Sequence, residues 1–86
     1  MKKGKIGWVI MEIQECYPCL VQVTPVLENK EQCAKIWIQQ MKRRWSEEYS
    51  DLDLEQKGKM MLRTGSVEVN GHSFYLMDLE QAAGNS

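Results

Sequence analysis

Three cysteines and a single histidine are the side chains in this sequence best suited to hold a metal or to carry a nucleophile. Cys16 and Cys19 stand at the spacing of a zinc knuckle, and Cys33 with His72 completes one Cys3His set. The positions of the last two argue against convergence. Cys33 falls in the first turn of a predicted helix beside its apolar stripe, where a small thiol packs as an ordinary hydrophobe. His72 follows the turn of a distant hairpin, which is a surface position. An odd cysteine count also disfavours a disulfide framework. The sequence therefore predicts three reduced cysteines in a cytoplasmic protein, with no resident metal or other cofactor.

The segment Cys16-Tyr17-Pro18-Cys19 resembles, in its letters, the glutaredoxin active site, a cysteine pair enclosing proline and tyrosine between a first strand and a first helix. That resemblance implies dithiol redox chemistry. The inner order here is tyrosine then proline, however, and Cys19 opens a strand-like run where the chemistry needs a helix N-terminus to lower the thiol pKa. A later substrate-loop proline is also missing, since Pro18 and Pro25 are the only two prolines.

Other catalytic constellations are equally thin. His72 has no acid partner or nucleophile nearby in sequence, and Gly4, Gly7, Gly58, Gly65, Gly71 and Gly84 are scattered rather than gathered into a phosphate loop. The expectation is a protein that is not an enzyme. Two charged runs remain. Glu47, Glu48, Asp51, Asp53 and Glu55 can imitate a phosphate track and occupy a basic groove, although such a run at a helix end is also simply a solvated face. Lys42-Arg43-Arg44 beside Trp45 can touch a nucleic-acid backbone, but acids follow at once. With 11 basic against 12 acidic residues there is no global positive field, and direct nucleic-acid binding is not expected. The charges are unevenly spread, with eight basic against four acidic residues up to Trp45 and the acidic excess following.

These residues must be placed by a chain of 86 residues, of which 43% are hydrophobic, long enough for one small core and too short for two domains. Ile6–Ile13 alternates, with Val9, Met11 and Ile13 on one face and Trp8 and Ile10 on the other, and Cys19–Thr24 alternates again, so the two read as an antiparallel hairpin ended by Thr24-Pro25. Asn29 with Gln32 forms a capping-box pattern for a helix from Lys30. Ala34, Trp37, Ile38, Met41, Trp45 and Tyr49 then share one stripe, and Ile36 lies near its back. Ser50 can cap a second short helix over Asp51–Lys57, although Leu52 and Leu54 alternate as a strand would also allow; Gly58 ends it either way, after which Met60–Val69 is strand-like. Asn70-Gly71 between alternating runs is a strong hairpin signal and pairs Val69 with His72 and Val67 with Phe74.

The predicted fold is α+β, in the order ββαββ with an optional short helix near 51–57, one amphipathic helix covering one face of a small antiparallel sheet. Residues 6–81 make the domain, between a flexible stretch at 1–5 and a disordered tail at 82–86. Trp8, Ile10, Tyr75 and Met77 are expected to share the uncovered face and to be buried in a homodimer. No stretch is long and apolar enough for a membrane span, and no export signal is read. The functional expectation is a small interaction module for another protein, with the five carboxylates and Ile36 as its docking residues. In size and composition it is similar to compact phage or mobile-element inhibitors of nucleic-acid enzymes. The competing expectation is a zinc-stabilised or nucleic-acid-contacting domain built on the Cys16/Cys19 hairpin and Lys42–Arg44.

Overall fold

Strand β1 (Trp8–Gln14) carries apolar residues on both faces and occupies a central place in the sheet. The computed structural model describes residues 7–14 and 19–79. After β1 come β2 (Cys19–Gln22), α1 (Lys30–Arg44), α2 (Asp51–Thr64), β3 (Ser66–Val69) and β4 (His72–Asp78). The order is thus ββααββ, an α+β fold with one antiparallel four-stranded sheet arranged β2-β1-β4-β3. Each hairpin is local, and the β1–β4 pair joins them from opposite ends of the described chain. The expectations at 1–5, 82–86 and Cys16 lie outside the described residues.

The second hairpin forms as its turn dictates. Asn70 and Gly71 have φ of 51° and 83°, the left-handed pair that matches strand twist, and Val69 meets His72 while Val67 meets Phe74. In the first hairpin the register changes after Gln22. Met11 opposes Gln22, but Trp8 bridges to Leu27, so two extra residues are accommodated at Val23–Val26. Thr24 makes that insertion tolerable. Its buried hydroxyl accepts the Ile10 N–H at 3.0 Å, taking the place of a strand carbonyl, while Val23 N–H donates to Ile10 O at 2.8 Å.

Helix α1 buries Cys33, Ala34, Trp37 and Met41, with Trp45 as its C-cap and Ile38 and Tyr49 packed partly against the core. Asn29 is at the N-cap in extended conformation, but its side chain makes no capping bond; Gln32 and Cys33 N–H donate instead to its backbone carbonyl. Ser50 does cap α2, accepting from Asp53 N–H at 3.1 Å, and Asp51 and Asp53 fill the first turn where the helix end is positive.

Two expectations about this region are corrected. Helix α2 does not stop at Gly58, and residues 60–64 are helix rather than strand, because Gly65 at φ 90° supplies the left-handed cap. Gly58 has a different task. A Cβ there would stand 2.5 Å from Ile38 Cδ1, so the missing side chain is what lets α2 lie close against α1. Leu54, Gly58 and Met61, at helical spacing, form the buried face of α2.

Both helices lie on one side of the sheet. Ile10, Val67, Val69 and Phe74 meet Trp37, Met41, Trp45, Leu54 and Met61 in one core, with Phe74 edge-on to Trp37 at 5.4 Å and 73° between rings.

Candidate functional site

Among the described residues Glu12 is the one buried carboxylate, and it lies on the helix-covered side of the sheet. Its two oxygens each accept from an Arg44 nitrogen at 3.0 Å, and His72 Nδ1 donates to Oε2 at 2.8 Å. The Arg44 guanidinium also stands 4.3 Å from the Trp45 ring centre, and the His72 ring is 5.2 Å from the same indole. Burial pushes the Glu12 carboxyl up, but the Arg44 guanidinium and His72 outweigh it and hold it below its ordinary value of 4.5. Glu12 is set by strand alternation on the face of Ile10, Arg44 by the last turn of α1, and His72 by the hairpin turn. The arrangement orients the imidazole through Nδ1, as general bases are oriented, yet no hydroxyl or thiol among the described residues bonds to His72. Its evident work is to tie α1 to β1 and β4.

Glu12 and Arg44 were not legible as a pair. The available signal was a lone carboxylate at the position where the Trp8–Ile10 face of β1 should continue apolar.

Of the metal candidates, Cys33 and His72 stand apart. Cys33 is buried with its thiol donating to Trp8 O at 3.3 Å, and burial pushes that thiol's pKa up, away from nucleophilic use. His72 sits at Glu12, four residues further along β1, about 13 Å by strand rise. Cys16 lies outside the described residues, and among the described residues no three His, Cys, Asp or Glu side chains gather. The basic trio is likewise divided, because Arg44 is held by Glu12 and Lys42 by Glu55 at 3.0 Å, which lifts the lysine pKa.

The five carboxylates are exposed. Glu55 turns toward Lys42 on α1, whereas Asp53 lines a shallow depression with Tyr49, Gln56 and Lys57. Ile36 is half-buried on the back of α1, close to Leu27 of the bulged segment.

The expected dimer face is divided by the sheet register. Ile10 opposes Leu76 and Trp8 opposes Asp78, which puts Trp8 and Ile10 on the helix-covered side, and Ile10 is fully buried there. Tyr75 and Met77 oppose Met11 and Val9 on the other side. Apolar residues on both faces of β1 left the inward side undetermined by alternation. The side away from the helices, open among the described residues, therefore carries Met11, Ile13, Leu20, Tyr75 and Met77, flanked by Gln22, Ser66 and Ser73, with Val9 buried. Of the strand residues facing that way, Glu68 alone is charged. Leu20 is 53% and Tyr75 39% exposed.

Comparison of the chain with protein-family models, curated proteins and solved structures finds no match. No helix among the described residues is long and apolar enough to cross a membrane.

Proposed function

We propose that this protein is a non-enzymatic interaction module that docks a partner protein on the open face of its sheet. One observation carries the reading: a four-stranded sheet presents exposed Leu20 and Tyr75 among Met11, Ile13 and Met77, with charge confined to Glu68 at its margin. Depletion of charge around aromatic and methionine side chains is the composition of an interface centre. The partner surface it suits is apolar and uncharged rather than basic. Three members of the acidic run have roles inside the fold, since Asp51 and Asp53 complement the start of α2 and Glu55 pairs with Lys42.

The test compares capture of binding proteins by the parent chain, by Tyr75→Lys, and by a variant with Glu47, Glu48, Asp51, Asp53 and Glu55 changed to amides. Tyr75 and the five carboxylates are all exposed, so both variants should fold. A partner kept by the amide variant and lost with Tyr75→Lys supports the open face. The reverse pattern transfers the function to the acidic run.

A further inference from the structure

The two edges of the sheet are finished differently. Gly65 O accepts from Leu76 N–H in the register that pairs Val67 with Phe74 and Val69 with His72, so alternation turns the backbone groups of Ser66 and Glu68 outward on the β3 edge. Side chains occupy that edge. Thr64 Oγ1 donates to Ser66 O at 2.9 Å, and Lys57 Nζ donates to Glu68 O at 3.3 Å. A strand arriving there would have to displace both, which is a recognised way of blunting an edge.

Among the described residues, the β2 edge has no such cover. Trp8 and Ile10 direct their backbone groups toward the β2 side, to Leu27, Val23 and Thr24. By the same alternation Cys19 and Val21 bond inward, and the N–H and C=O of Leu20 and Gln22 point away from the sheet. No described residue bonds to these four groups. The strand's own Leu20 and Val21 are 53% and 37% exposed, and Cys19–Gln22 contains neither a charge nor a proline.

We propose that β2 pairs antiparallel with β2 of a second copy of this chain, across a two-fold axis at Val21. The register is set by the groups available. With Val21 opposite Val21 of the second copy, each Leu20 meets a Gln22, and all four outward groups of each strand are satisfied by four interchain hydrogen bonds. The absence of charge in β2 removes like-charge repulsion between identical strands. The two sheets become one of eight strands, with the open faces continuous. This interface stands on the edge geometry alone and is independent of what docks on the open face.

Sedimentation equilibrium over tens to hundreds of micromolar, together with amide hydrogen exchange, tests it. The parent chain should pass from monomer to dimer, with the Leu20 and Gln22 amides gaining protection as concentration rises. Leu20→Pro removes an outward donor in each copy without touching the β1 ladder, and should weaken dimerisation roughly tenfold or more. Val21→Lys sets like charges opposite each other and should do the same, which covers the case where the proline variant fails to fold. Glu68→Pro, at the covered edge, should leave dimerisation unchanged. A parent chain that stays monomeric throughout, or a folded Val21→Lys variant that dimerises as the parent does, overturns the proposal.

Discussion

Glu12 keeps its charge in a buried layer because Arg44 and His72 reach it from two other elements. Both partner side chains are more than a third exposed, so replacing the carboxylate frees them to turn into water rather than stranding them. Glu12→Gln should therefore cost about 1–2 kcal/mol, below the loss expected for a fully enclosed pair. The pH dependence follows from the direction of the shift. A depressed folded pKa contributes stability that is complete above the ordinary value of 4.5 and is lost as pH falls through the lower folded value. Thermal melts should show the gap between parent and Glu12→Gln at neutral pH, narrowing as pH drops below 4.5. A gap that widens on acidification would contradict the assignment. Trp45 packs on Phe74, His72 and Arg44 at 7% exposure, and Trp45→Ala should cost about 3–5 kcal/mol in the same melts.

At the level of elements, Gly58 sets two effects against each other. Alanine there gains about 1 kcal/mol in helix propensity, but its Cβ would lie 2.5 Å from Cδ1 and 2.8 Å from Cγ1 of Ile38. Rotation of the terminal methyl relieves only the first contact, so overpacking should prevail and Gly58→Ala should be net destabilising by about 1 kcal/mol. In an Ile38→Ala background the same change should become neutral or stabilising; a double-mutant cycle in urea reads the sign reversal. This position also shows the limit of reading elements from sequence. The α1 stripe and the Asn70-Gly71 hairpin were legible, because each is written in local spacing or in a residue pair with few other uses. A glycine after seven helical residues has two meanings, a stop or a crossing, and only the neighbouring Ile38 decides between them. The Leu54, Gly58, Met61 spacing was available and continues past the glycine. The faces of β1 were not legible, since the choice between Ile10 and Met11 as the inward residue depends on β4, whose partnership with β1 leaves no local mark.

For the whole molecule, the uneven charge of the sequence is partly cancelled by folding, with Lys42 against Glu55 across α1 and α2. If the open sheet face is the docking surface, partner affinity should change little when salt is raised so that the Debye length falls from about 10 Å to about 3 Å, whereas docking through carboxylates would weaken steeply. Titration calorimetry at the two ionic strengths separates these outcomes. The β1–β4 pairing has a mechanical consequence. Leu79 N–H donates to Gly7 O, and Trp8 opposes Asp78, so the chain enters and leaves the two central strands at the same end. Tension applied through residues 7 and 79 therefore loads the ladder one rung at a time, at Gly7–Leu79, then Val9–Met77, then Met11–Tyr75, instead of shearing every rung together. The protein should open like a zipper at low force in an optical trap. Attachment at residue 7 and in the Asn70-Gly71 turn pulls the same strands lengthwise past one another and should demand a distinctly higher force from an identical fold.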